Sequence, residues 1–265
     1  LPQWRVDDVM ISIASLHGGV GPHYDNYDVF LYQASGQRKW SLTTKNCNEV
    51  NALPDLDLRI MADFQVEQEI LLSEGDMLYL PAHVGHHGVS LSDESIGYSF
   101  GYRSYQAQEL WDSFADYLSE TKCAPALYKD PNWNTTLKNT SQIPSEAFLN
   151  AKALMSELLK DEEKLQNWFS RFATQLDQQA IQLQNEPLND EEAGDCSFFI
   201  QTLQTVSELS RDLNCRMAYH IDTDAMTQLF INGYPFDTKD VSSELIALIA
   251  NQRTVSMQQL LPILN

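Results

Sequence analysis

Residues 18–30, Gly-Gly-Val-Gly-Pro-His-Tyr-Asp-Asn-Tyr-Asp-Val-Phe, hold two metal-ligating side chains two positions apart, His23 and Asp25. On an extended segment alternate side chains share a face, so these two point the same way. An imidazole and a carboxylate from one strand edge can take adjacent positions on a metal ion. One more histidine, from a facing strand, would complete a triangular set with three positions left open, the arrangement of non-haem Fe(II) oxygenases. A His-x-Asp triplet is common by chance, so its weight rests on that third ligand and on its surroundings.

The surroundings read as strands. Alternating or apolar stretches recur at residues 9–15, 27–33, 38–43, 69–72, 77–80, 88–91 and 96–102. They are punctuated by Gly18-Gly19, Ser35-Gly36, Glu74-Gly75-Asp76 and Ser92-Asp93-Glu94. So many short strands in a hundred residues predict a mainly β catalytic domain over 1–104, a sandwich or barrel with antiparallel pairing.

Three histidines can supply the third ligand: His83, His86 and His87. Gly75-Asp76, four residues, Pro81, four more residues and then His86 resemble the second motif of the cupin superfamily, in which Pro81 would end one strand and His86 would open the next. His86 fits; His87 points to the opposite face by alternation. His83 lies in the turn, where the cupin pattern has glycine, and reads as a surface histidine.

A cosubstrate needs an anchor. Arg38 follows the Ser35-Gly36 turn, and its period-two neighbours Trp40 and Leu42 are apolar, which puts a cation on the inner face. Buried charge is costly without a counter-charge. A dicarboxylate gripped by two parallel guanidinium bonds would supply one; a salt bridge to an acidic neighbour is the alternative. Lys39 points outward. Ser12, the polar residue of the apolar run 10–14, can face the same carboxylate or a backbone carbonyl. Tyr27, Asp28 and Tyr32 are candidates for the pocket mouth.

The chain has 265 residues, 17 basic against 37 acidic, for a net charge of -20. No apolar run approaches a membrane span, and phosphate backbones need a basic face that the composition does not provide. A basic protein partner is favoured. Cys47, Cys123, Cys196 and Cys215 show no CxxC spacing, so neither a zinc knuckle nor a disulfide framework is suggested and a cytoplasmic location is the default. The first eight residues have no apolar signal-peptide core, and a start at Leu1 suggests a piece of a longer protein.

Helical spacing follows the strands: Leu110, Trp111, Phe114 and Leu118, then one long helix carrying Leu154, Leu158, Leu165, Trp168, Phe169, Phe172 and Leu176. Its wide stripe needs a partner, the barrel or a second copy of the chain, and the second copy predicts a homodimer through 151–176. A polar loop separates the helices at 128–145, and 185–195 is an acidic linker. Strands at 217–221 and 228–231, the Asn232-Gly233 turn and a helix at 242–250 outline a small winged-helix-like unit. Domains of 1–104, 105–188 (helical dimerisation region) and 189–265 result. Asp222, Asp224, Asp237, Asp240 and Glu244 outnumber Arg216 and Lys239, so no direct DNA binding is expected.

The stretches at 4–12, 18–30 and 75–81 together resemble the JmjC-type 2-oxoglutarate oxygenases, and among them the bacterial ribosomal oxygenases. That resemblance implies a double-stranded β-helix of eight core strands, a helical dimerisation region and a winged helix. It implies Fe(II) held by His23, Asp25 and His86, with Arg38 and Ser12 at the distal carboxylate of 2-oxoglutarate. It further implies O2-dependent hydroxylation of an arginine in the large-subunit ribosomal protein uL16, with succinate as coproduct. Family members begin with a longer N-terminal part and their winged helix continues past the position of Asn265. Related animal enzymes act on histidine, so histidyl hydroxylation is one alternative. A metal-dependent cupin enzyme without 2-oxoglutarate is another, and a non-enzymatic scaffold that uses its helices for partner binding is a third.

Overall fold

In the computed structural model, residues 1–56, 58–122, 126–130, 141–176, 181, 196–221 and 227–264 are described. The acidic linker at 185–195, most of the loop at 128–145, Cys123, Asp222 and Asp224 lie outside them. Two compact units divide the chain, Leu1–Glu109 and Leu110–Asn265.

Seven strands build the first unit: β1 (Val6–Ala14), β2 (Asp28–Ser35), β3 (Arg38–Thr43), β4 (Gln68–Leu72), β5 (Met77–Leu80), β6 (Gly85–Ser90) and β7 (Ser95–Tyr102). They form two antiparallel sheets in the orders β1-β7-β2-β5 and β4-β3-β6. The chain passes from one sheet to the other at the β2–β3 turn. There Gly36 has φ +70°, and a Cβ would meet the Glu94 carbonyl oxygen at 2.6 Å, so glycine is required. Val29, Leu31 and Leu80 from one sheet bury against Trp40, Leu42 and Leu72 from the other. Each such side chain contributes roughly 1.5–3 kcal/mol by leaving water.

The eighth strand is reduced to isolated bridges. His23 pairs singly with His86 on one side and Ile60 on the other. Pro22 has no N–H to donate, and Gly21 has φ +105°, so no ladder extends N-terminally from His23. The β6 strand starts at Gly85 rather than Gly88, because its pairing with β3 runs on through His86 and His87 to Gly85. Glycine and histidine have weak strand preference, and the cross-strand partners overrule it.

The second unit begins within α1 (Ala107–Glu120), followed by α2 (Ser145–Leu158) and α3 (Glu162–Thr174). The single long helix of the periodicity is two: Asp161 caps α3, its carboxylate accepting the Lys164 N–H at 3.0 Å. The stripe on α3 finds its partner inside its own unit. Trp168 packs on Phe114 at 5.0 Å and donates its indole N–H to Ser113.

Further on come α4 (Cys196–Thr205), β8 (Glu208–Ser210), β9 (Met217–Ile221), β10 (Thr227–Ile231), β11 (Tyr234–Phe236), α5 (Ser243–Asn251), β12 (Thr254–Ser256) and α6 (Met257–Leu264). Asn232 and Gly233, both at positive φ, close a two-residue hairpin between β10 and β11, as Asn-Gly favours. Phe230 and Ile246 are fully buried.

Candidate metal centre

The sheet of β4, β3 and β6 carries the site on its inner face. In the β3–β6 register, Leu42 faces His86, Trp40 faces Gly88 and Arg38 faces Ser90. His23 joins beyond β6: its N–H donates to the His86 carbonyl at 3.0 Å, and the His86 N–H donates to the His23 carbonyl at 2.7 Å. This brings ligand atoms of His23, Asp25 and His86 within 4.8 Å of one another. His86 Nε2 is 3.6 Å from Asp25 Oδ2.

The hydrogen bonds set the ring tautomers. His23 Nδ1 lies 3.0 Å from the Gly21 carbonyl, and His86 Nδ1 lies 2.9 Å from that of Val84. A carbonyl only accepts, so each Nδ1 carries the proton and each Nε2 keeps its lone pair for a metal. Burial, and then the neighbouring His23, hold the His86 pKa below the ordinary histidine value, which favours the neutral, ligating ring. Two imidazoles and one carboxylate at these separations fit a first-row divalent ion with bonds of about 2.1 Å.

His83 and His87 stay apart from this group. His83 has φ +62°, which is why the cupin pattern has glycine there. Its ring stacks on Tyr24 at 5.8 Å, and its N–H supports the triad by donating to the Asp25 carbonyl at 2.9 Å. The His87 ring lies perpendicular to that of Phe64, with centroids 6.3 Å apart.

Arg38 lies two rows from His86 on the inner face and is 7% exposed. Its Nη1 donates to Ser12 Oγ at 2.9 Å and its Nη2 to Ser95 Oγ at 3.4 Å. Its Nε is buried and has no partner among the described residues. No carboxylate among the described residues pairs with it, and burial alone lowers its pKa. Lys39 points outward to Glu69 at 2.9 Å. The Ser12 hydroxyl, while accepting from Arg38, donates to the Gly97 carbonyl at 3.3 Å. A Cβ on Gly97 would come within 3.3 Å of both Arg38 Nη1 and Ser12 Oγ, so glycine keeps this small pocket open.

One mouth candidate is engaged elsewhere. Asp28 is paired with Arg5 at 2.5 Å and accepts from Tyr79 at 2.8 Å. Tyr32 is among the residues lining the pocket beside Arg38; it alternates with the buried Leu31 and Gln33, and its ring lies 6.2 Å from that of Tyr98. Tyr27 remains near the triad: burial, then the carboxylates of Asp25 and Asp8, push its phenol far above the usual range. The sequence reading missed Ser95 and Gln33. Fully buried Ser95 accepts from both Arg38 and the Gln33 amide, a role that only the folded packing reveals.

Comparison with known proteins accords with this architecture. A JmjC domain model matches residues 1–110, and a ROXA-like winged helix model matches residues 157–264. The ribosomal protein uL16 3-hydroxylase of Escherichia coli (strain K12) is 35% identical over 175 residues, covering 66% of this chain and 46% of that protein. A probable ribosomal oxygenase of Haemophilus influenzae is 28% identical over 266 aligned positions, covering 95% of this chain and 62% of the relative. The structure of YcfD, a ribosomal oxygenase from Escherichia coli in complex with cobalt and 2-oxoglutarate, superimposes with a TM-score of 0.76 at 26% identity. That match covers 98% of this chain and 64% of the other. The chain thus spans between about half and two thirds of the length of these relatives. Bearing a JmjC domain and a ROXA-like winged helix, it is a JmjC-type relative of the bacterial ribosomal oxygenases.

Proposed function

We propose that the chain is the catalytic part of an Fe(II)- and 2-oxoglutarate-dependent protein hydroxylase whose target is an arginine side chain of ribosomal protein uL16. One observation carries this reading. His86, one member of a two-histidine, one-carboxylate cluster, shares the inner face of one sheet with a buried guanidinium that has no carboxylate partner among the described residues. A metal-chelating dicarboxylate matches both ends. The similarity to a uL16 3-hydroxylase, and to a ribosomal oxygenase solved with cobalt and 2-oxoglutarate, supports the same assignment.

Iron(II) bound at the triad, with 2-oxoglutarate and O2, supplies oxidative hydroxylation of an unactivated C–H bond, with succinate and carbon dioxide released. The protein's part is binding, orientation and exclusion of water. His23 and His86 present Nε2, with each ring held by a backbone carbonyl. Asp25 brings the negative charge. Arg38, steadied by Ser12 and Ser95, takes the distal carboxylate. Leu31, Trp40 and Leu72 wall the pocket with apolar surface. Asp8, near Gly101, together with Tyr27 and Asp25, places carboxylate and phenol oxygens where a cationic side chain can be oriented. No protein general base is required. The protein acts as a homodimer in this reading and does not bind DNA directly.

The test is mass spectrometry of uL16 after incubation with the chain, Fe(II), 2-oxoglutarate and O2. One added oxygen on an arginine, absent without 2-oxoglutarate and absent with His86→Ala, supports the reading. An oxygen on a histidine, or turnover without 2-oxoglutarate, overturns it.

A further inference from the structure

On the β3–β6 face, Trp40 occupies the row between the row of the metal-ligating His86 and the row of Arg38. A ligand chelated at the triad and gripped by Arg38 therefore crosses the indole. Gly88, opposite Trp40, gives up its side-chain space to that ring: a Cβ there would fall 2.7 Å from Cη2. The Arg38 guanidinium carbon lies 5.9 Å from the ring centroid. Trp40 is 8% exposed, yet its Nε1 has no acceptor among the described residues. Buried N–H groups almost always have a partner, and one left without is explained by strain, function or a bound group. Arg38 Nε, in the same pocket, is a second buried donor without an acceptor among the described residues.

We propose that the Trp40 indole N–H is a cosubstrate-binding donor that bonds the same 2-oxoglutarate carboxylate as Arg38. The inference rests on the oxygenase reading above. Trp40 is in these terms a binding residue in its own right, rather than only a wall of the pocket.

Trp40→Phe keeps an aromatic ring and deletes the N–H. In the Mn(II)-loaded chain, calorimetry should show 2-oxoglutarate binding weakened about tenfold, with Mn(II) affinity unchanged. Binding of 2-oxobutanoate, which lacks the distal carboxylate, should be equal in Trp40→Phe and the parent. Unchanged 2-oxoglutarate affinity overturns the proposal, and so does equal weakening for both oxo acids, which would mark a packing effect. A parent chain that binds no 2-oxoglutarate overturns the oxygenase reading itself. If Trp40→Phe does not fold, nitrogen-15 NMR of the Zn(II)-loaded parent decides. The Trp40 indole resonance should move with 2-oxoglutarate and stay with 2-oxobutanoate; a resonance that 2-oxoglutarate leaves in place rejects the proposal.

Discussion

His23 and His86 hold each other through their backbones, each N–H donating to the other's carbonyl, with ring centroids 4.3 Å apart. Two of the three candidate ligands are thus positioned by main-chain bonds that no side-chain change removes. His86→Ala should therefore leave the fold intact while tight binding of Mn(II) disappears. Calorimetric titration, with circular dichroism as the check on folding, measures both. Retained tight Mn(II) binding would remove His86 from the ligand set.

Arg38 separates function from stability. A buried cation without a carboxylate partner costs the ligand-free protein, and replacement of buried charge by apolar volume is often neutral or stabilising, by up to about 4 kcal/mol. Arg38→Met should raise or maintain the melting temperature of the ligand-free chain. The same change should cost about 3 kcal/mol of 2-oxoglutarate affinity, roughly a hundredfold, through loss of charged hydrogen bonds. A metal-dependent enzyme that works without 2-oxoglutarate would lose little activity from this substitution.

Much of this arrangement is legible from residue order. Turn residues and apolar alternation locate β2, β3 and β5 closely, and the spacing from Gly75 to His86 singles out one histidine of three. What residue order hides depends on partners distant in the chain. Asp28 looks free until Arg5 is brought to it, and Ser95 looks like a turn residue until Gln33 and Arg38 converge on it. Gly85-His86-His87-Gly88 has weak strand preference of its own and is extended by pairing with β3. The break between α2 and α3 interrupts a continuous apolar stripe, and it is signalled only by the capping power of Asp161.

His83 tests whether nearness to the triad means ligation. Its left-handed backbone costs a non-glycine residue about 1 kcal/mol, whereas glycine loses a similar amount in chain entropy. His83→Gly should therefore change stability by less than about 1 kcal/mol in urea titration and leave Mn(II) affinity unaltered. A drop in Mn(II) affinity would make His83 a ligand or an essential support.

Asp28 gives the first unit an acid-sensitive clamp. Burial raises its pKa, but hydrogen bonds from Tyr79 and Arg5 and the Arg5 charge outweigh this, so the folded value lies below the usual 3.8. The unfolded chain then binds the proton more readily. The stabilisation is present above the unfolded pKa and is lost as pH falls through the folded one. Asp28→Asn should lower stability at pH 7 and flatten its dependence between about pH 4 and the folded pKa. Parallel urea titrations of the two proteins across that range measure this, and equal slopes would contradict it.

Helix α2 overlaps the start of the 151–176 segment expected to make the dimer contact. None of its residues is buried, and Phe148 and Met155, seven positions apart and so on one face, are 65% and 50% exposed. Leu149 on the same helix is 57% exposed. The stripe on α3, by contrast, already packs on α1. The part of the 151–176 segment that remains for a second copy is therefore its α2 portion. A net charge of -20 opposes self-association at long range, so apolar burial has to outweigh repulsion, and salt should strengthen the pair by screening. Light scattering of the chain should give twice the monomer mass, more fully in 0.5 M salt than at low ionic strength. Phe148→Asp, which puts a charge on this face, should shift the chain towards monomer with circular dichroism unchanged. A monomer at every salt concentration would leave the α2 face without a second copy.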